Sequence, residues 1–229
     1  MVLKFIVFMK KENILRIAFY FLGLAILSLG LILNTKSDFG VSPILSLAYA
    51  VSQITGLTLA RTTFYYYIIF VFAEITIHTL MRVKNLKVVL VKDLAQIIVT
   101  IVFTTLMNLF AEHITVPTKL ITRALFLILG VILTGVGCAI SLDMRIVPNP
   151  GDGIVQTVAD LLHKRVGITK NFFDLTCVIL TCIISYVFAG KIIGIGVGTI
   201  ACVIGVGRVI AYFNDLCKAS LMNKCGVSE

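Results

Sequence analysis

Glu74 and His78 stand four residues apart inside an otherwise apolar stretch, so a helix would place them on one face. Intramembrane acids and histidines often move protons, which makes this pair a weak relay candidate. A partly hydrated interfacial pair is the competing reading. Asp174 joins the relay set, although an acid opening a span needs no more than the helix dipole to explain it. Arg208 follows sixteen uncharged residues of the last apolar run. A charge at the centre of a span costs about 2.5–3.5 kcal/mol on insertion scales. Arg208 must therefore snorkel to a headgroup layer, pair with an acid, or meet the charge of a solute.

Ser42-Pro43 and Asn149-Pro150 form a second group. Ser or Asn at N-cap with Pro at N1 is a helix-start signal, because the cap satisfies free N–H groups and Pro has none to lose. Asp152 then falls at N3, where its charge suits the dipole. Asp152, Gln156 and His163 follow one another at steps of four and seven, near one stripe of a helix. That stripe fits either a polar site at membrane depth or an amphipathic helix lying flat on the interface. The candidate substrate-binding residues are Ser42, Pro43, Asn149, Pro150, Asp152, Gln156 and Arg208. Catalytic arrangements are thin: there is no GxSxG, HExxH or phosphate-loop lysine motif. Three His without shared spacing and six Cys without a CxxC pair give no metal or redox signature. No enzyme activity, cofactor or metal is expected.

The elements that must position these residues are membrane spans. Of 229 residues 59% are hydrophobic and 14% charged, with a mean hydropathy of +1.06. Soluble domains carry roughly 25% charged residues. Apolar runs occur at about Ile14–Leu33, Thr63–Leu80, Leu94–Phe110, Ala124–Ile140, Leu175–Gly190 and Ile192–Phe213. Each is long enough, or nearly so, to cross a core of about 30 Å at about 1.5 Å per residue. Two shorter helices are expected at Pro43–Thr55 and Pro150–Val166. The opening MVLKFIVFMKK lacks a small-residue cleavage site and does not read as a signal peptide.

Basic residues decide how many segments cross. Six spans with an inside N-terminus put fourteen Lys and Arg on the cytoplasmic side and five outside. Eight crossings would give twelve against seven and export the Arg82–Lys92 cluster. The positive-inside rule therefore favours six spans with both termini cytoplasmic. The net charge of +9 comes from short clusters between apolar runs. It suits an anionic leaflet and not nucleic acid.

Gly23, Gly30 and Pro43 recur as Gly130, Gly137 and Pro150, all at an offset of 107. After a four-residue shift, Gly56-Leu57-Thr58 recurs as Gly167-Ile168-Thr169. Lys36 and Asp38 map onto Asp143 and Arg145 with acid and base exchanged, so ion pairs between the two linkers are one expectation and plain interfacial charge the other. Halves of about 13–115 and 120–215 each hold three crossings, an odd number, so the second copy is inverted. Inverted repeats mark many secondary transporters. A fossil duplication without transport is the bland alternative. Gly190, Gly194, Gly198 and Gly205 repeat at small-residue packing intervals in the last span.

The Gly-Val-Ser-Pro stretch at Gly40–Pro43, Pro-Gly-Asp-Gly at Pro150–Gly153, Val166-Gly167, Asp174 and the glycine run Gly194–Thr199 occur in a characteristic order. Together they resemble the YczE/YyaS/YitT group of bacterial multi-span membrane proteins over nearly the whole chain. The resemblance implies a duplicated bundle in a bacterial cytoplasmic membrane and no particular activity. Two departures stand out: Leu45 replaces an acid often found after the first Pro, and the first half's last span lacks the glycine run.

The fold expected is an all-α membrane protein, a single transmembrane domain over 1–229. It has six transmembrane helices plus two short re-entrant or interfacial ones, in two inverted pseudo-repeats. The leading function is a small-solute transporter or membrane-embedded substrate-binding component for an anionic solute. The alternative is a regulatory or scaffolding membrane protein. The bilayer is the expected partner, and the oligomeric state is open between monomer and homo-oligomer.

Overall fold

The computed structural model describes residues 11–227, and every regular element among them is helical. The opening segment, residues 1–10, lies outside the described residues, and so does the expectation about a signal peptide. The helices are α1 (Lys11–Lys36), α2 (Pro43–Thr55), α3 (Leu59–Leu80), α4 (Leu86–His113), α5 (Leu120–Asp143), α6 (Pro150–Leu162), α7 (Val166–Ala189) and α8 (Val197–Phe213). A wide helical turn over Asn214–Lys218 leads into the short α9 (Ala219–Lys224). Six helices are long and apolar enough to cross a bilayer, the last counted through Lys224. Large apolar side chains such as Ile69, Phe72, Ile98, Ile121 and Val187 point outward, while Ser28, Ser46, Thr63, Thr100, Thr181 and Ser185 are buried. That inversion of soluble-protein burial is what lipid as solvent demands. The chain is a multi-pass membrane protein.

Hydropathy placed several helix ends too close to the bilayer centre. α4 starts at Leu86 and not Leu94, α7 starts at Val166 and not Leu175, and α6 stops at Leu162 and not Val166. In α4 and α7 the helix continues through Asp93, Thr169 and Asp174, which are buried against protein instead of ending in a loop. At α6, His163 takes a left-handed conformation (φ 51°) that caps the helix. The last span begins at Val197, and the chain from Gly190 to Gly196 forms a linker.

The bundle is built on α1 and α5, which cross so closely that side chains are excluded. A Cβ on Gly137 would lie 2.3 Å from the Leu27 nitrogen, and one on Gly30 would lie 2.4 Å from the Thr134 nitrogen. Gly23 and Gly130 meet the partner backbone in the same way. These four glycines are the pairs that recur at offset 107. Small residues at a crossing let backbones approach and gain dispersion contacts that lipid cannot outbid.

The same offset relates the rest of the bundle. Arg123 donates from Nε to the Ser37 carbonyl (3.0 Å) and from Nη2 to the Asp38 carbonyl (3.3 Å). Arg16 donates from the same atoms to Met144 (2.7 Å) and Arg145 (2.9 Å). Every residue in the second set is 107 from its mate. Likewise α2 packs on α7 while α6 packs on α3, and α4 flanks α1 while α8 flanks α5. Gly56 caps α2 with φ 74°, and its mate His163 caps α6. The offset therefore stays at 107 through α3 and α7, which start at Leu59 and Val166. The four-residue shift expected after Gly56 does not exist: Gly167 sits in the first turn of α7, not at a cap.

Ion pairs between the two linkers are absent among the described residues. Asp38 pairs with Arg123, whose guanidinium also lies over the Phe39 ring at 5.4 Å. Asp143 pairs with Lys218 at 3.9 Å. Each linker is tied to the start of the other half's first helix, because that arginine can reach two carbonyls left free where the helix ends.

Candidate functional site

α2 and α6 have 13 residues each, about 20 Å of helix, too short to span. Their N-termini meet at the centre of the bundle. Ser42 (ψ 136°) and Asn149 (ψ 139°) are extended, as a following Pro requires. Neither side chain caps its helix, contrary to the capping reading. Both are buried and face a cavity between the halves. Both short helices thus start inside the bundle, against this cavity. Irregular backbone at this depth is tolerated because it lines a cavity.

The cavity has a volume of about 50 Å³, room for a few waters or one small polar group. Ser42, Pro43, Asn149, Gly151 and Asp152 line it from the two short helices. Leu27 and Leu31 of α1, Ile44 of α2, Tyr67 of α3, Thr134 and Cys138 of α5, Lys170 and Asp174 of α7, and Cys202, Val206 and Ile210 of α8 complete the wall. The Asp152 carboxylate accepts from the Cys138 thiol at 3.5 Å. Asn149 lies against the Tyr67 phenol, yet its Oδ1 is buried without a hydrogen-bond partner. An unpaired buried acceptor costs about 1–3 kcal/mol, so a donor arriving in this cavity has a place to bind. Lys170 sits within the fields of both Asp152 and Asp174. It closes to salt-bridge distance with neither among the described residues.

Of the residues expected at the site, Ser42, Pro43, Asn149 and Asp152 line it, and Pro150 is buried at N1 beside them. Gln156 does not. It is exposed and lines a surface depression with Lys92, Asp143, Arg145 and Lys218. Asp152 and Gln156 diverge because the stripe joining them drifts around a helix whose Gly153 and Thr157 face α3. Arg208 also fails to reach the cavity: it is exposed, while Val206 and Ile210 of the same helix point inward. The cation at the cavity is Lys170, which precedes the apolar run expected from Leu175 and lies on α7. Asp174 is not a helix-start residue either. It is buried two turns into α7, and it belongs to the cavity and not to the Glu74 pair.

Glu74 and His78 do belong together, in a second polar cluster where α3 meets α4 and α6. Gln96 Nε2 donates to Glu74 Oε2 at 2.7 Å. His78 Nδ1 and Asp93 Oδ2 are 2.8 Å apart, and His78 Nε2 and Thr157 Oγ1 are 3.2 Å apart. Asp93, Gln96 and Thr157 had escaped the sequence reading. The signal that could have found them is the i, i+3 spacing of Asp93 and Gln96 opposite Glu74 and His78 on the preceding span.

Two relatives are similar to this chain. An uncharacterized protein of Haemophilus influenzae is 23% identical over 100 residues, 44% of this chain and 43% of that one. The uncharacterized protein YyaS of Bacillus subtilis is 24% identical over 210 residues, 90% of this chain and 96% of YyaS. The match thus spans less than half of the first relative and nearly the whole of the second. No solved structure matches. A family model described as a family of unknown function, DUF6198, matches residues 14–215. With that match over most of its length, and with the YyaS-like motif order set into one duplicated bundle, the chain belongs to the DUF6198 family.

Proposed function

We propose that the protein is a small-solute membrane transporter, or the membrane-embedded binding component of one, whose site is the cavity between the inverted halves. The observation that supports this reading is the convergence of two short-helix N-termini on one largely apolar cavity that Asn149, Asp152, Lys170 and Asp174 also line. That arrangement is used by transporters with discontinuous helices. The charge arithmetic favours a solute without a large net charge, one anionic group being the most that it accommodates. Lys170 and about half a positive charge from each helix start stand against Asp152 and Asp174, leaving the walls near neutral overall. A small carboxylate or a zwitterion fits; a polyanion does not. The basic end of the bundle, with Arg16, Lys92, Arg145 and Lys218, is placed in the cytoplasm together with both termini. Reporters fused after Lys87 and near Lys119 test that orientation.

The binding test is ligand-induced thermal stabilisation of the purified protein with acetate, glycine, sulfate and guanidinium as probes. Stabilisation by acetate or glycine should be lost in Lys170→Ala and retained in Arg208→Ala. Stabilisation by guanidinium alone, or indifference to Lys170→Ala, overturns the site. No stabilisation by any small molecule, with the bundle intact, favours the regulatory or scaffolding alternative.

A further inference from the structure

We infer that Glu74 and Gln96 form a binding site for a single exchangeable proton, in which a neutral Glu74 carboxyl is paired with the Gln96 carboxamide. Both side chains are only 1% exposed. One bond of the pair is in place, from Gln96 Nε2 to Glu74 Oε2 at 2.7 Å. The remaining oxygens, Glu74 Oε1 and Gln96 Oε1, are both buried and both without a partner. Each is an acceptor, so with an ionised Glu74 neither can satisfy the other. One proton on Glu74 Oε1 resolves both deficits at once. The O–H donates to Gln96 Oε1 while Gln96 Nε2 donates to Glu74 Oε2, closing a carboxylic acid–amide ring. An ionised carboxylate would instead be held away from water with no cation beside it, which is far costlier than a neutral carboxyl.

The surroundings supply no ion pair that would compensate an ionised Glu74 among the described residues. From α3, His78 lies one turn along. From α4 come Asp93 and Gln96, and from α6 come Thr157 and the backbone of Gly153. A Cβ on Gly153 would be 2.9 Å from both Glu74 oxygens. Asp93 is the charged group whose field reaches Glu74, and it is of like sign. The ionisable residues of α6 point elsewhere, Asp152 to the cavity and Asp160 to the surface. His78 bridges Asp93 and Thr157, at 2.8 and 3.2 Å, so these three groups form a chain beside Glu74. The His78 side chain is 13% exposed, enough to exchange protons with water. The inference does not depend on the transport reading, although α6 carries both this site and one wall of the cavity.

The test is infrared difference spectroscopy of the full-length protein in lipid nanodiscs, titrated from neutral to alkaline pH. The wild type should show the C=O stretch of a hydrogen-bonded protonated carboxyl at neutral pH, lost on alkalinisation. Glu74→Gln should abolish the band; an amide pair with Gln96 preserves both ring hydrogen bonds, so this variant should fold. Gln96→Leu should keep the band but move it to the higher frequency of a free carboxyl. Asp174→Asn should leave it unchanged. Absence of the band in the wild type at neutral pH, its persistence in Glu74→Gln, or its removal by sodium at constant pH would each overturn the proposal. The wild-type spectrum decides the matter even if the variants fail to assemble.

Discussion

The two inverted halves close differently. In the first, α4 packs along α3 and buries Asp93, Gln96 and Thr100 against it. In the second, α7 and α8 make little direct contact. The residues of α8 that correspond at offset 107 are Ile200, Val203 and Gly207, and all three are exposed. The next face round is matched, since Val99 and Phe103 correspond to Val206 and Ile210, and both sets point into the bundle. One helix face is thus alike in the two halves, while its neighbour is polar in the first half and apolar in the second. The consequence follows from lipid as solvent. Apolar faces gain little by leaving lipid for each other, whereas polar faces must find partners within the protein. Glu74, His78, Asp93 and Gln96 therefore draw α3 and α4 together. No such set holds α7 to α8, and the central cavity is bordered there by Lys170, Asp174, Cys202 and Val206. The closed pair holds one ionisable cluster, and the loosely joined pair borders the cavity.

The largest test of this contrast uses glycines. Gly153 faces Glu74 and Gln96 at the closed pair, with no room for a Cβ, while Gly207 has nothing within 4 Å. Gly153→Leu should destabilise by at least about 3 kcal/mol through overpacking and depress the melting temperature strongly. Gly207→Leu should stay within about 0.5 kcal/mol of wild type, as open positions do. Comparable melting in the two variants would mean that α7 and α8 are packed after all.

A middle-sized effect is expected at the mates Gln96 and Val203. Gln96→Leu removes the donor to Glu74 and leaves that carboxyl with one hydrogen-bonding face empty. Interhelical hydrogen bonds in membranes are worth about 0.6 and at most about 1.7 kcal/mol, so a loss near the upper value is expected. Val203 is 42% exposed, and Val203→Leu should be neutral. Sensitivity of Val203 equal to that of Gln96 would remove the distinction between the halves.

This contrast was only partly legible in the sequence. The six apolar runs, the short helices after Ser42-Pro43 and Asn149-Pro150, and the repeat were readable because each rests on local chemistry: hydropathy over a span, Pro at N1, glycine at a crossing. The walls of the cavity were not. Spans that start at Leu94 and Leu175 leave Asp93 and Lys170 outside them and make Asp174 the opening of its span, although all three lie on helices and Asp93 and Asp174 are buried. Hydropathy marks where lipid contact begins, whereas a helix continues as long as protein can satisfy its polar side chains. Arg208 drew attention for the opposite reason. Its span is apolar all round, so no stripe showed which face was inward, and a long side chain can leave an apolar span without reaching the interior.

The smallest expected effect lies at the mate of the Glu74 contact. Gly153 and Glu74 correspond at offset 107 to Ser46 and Thr181, which face each other across α2 and α7 with hydroxyl oxygens 2.7 Å apart. Ser46 Oγ also lies 2.6 Å from the Pro43 carbonyl, and Thr181 Oγ1 lies 2.7 Å from the Cys177 carbonyl. Two hydroxyls carry two hydrogens, so only two of these three bonds are filled at any moment. Deleting either hydroxyl lets the other satisfy its own helix carbonyl, and no buried charge is exposed by the change. Ser46→Ala and Thr181→Val should therefore each cost at most about 0.6 kcal/mol, the average for such bonds in membranes. Together they should cost little more than either alone, because both delete the same shared contact. Melting temperatures of the two single variants and the double variant check this. A loss as large as that of Gln96→Leu would show that the neutral interface is as tightly specified as the ionisable one. The difference between the halves would then lie in protonation alone and not in packing.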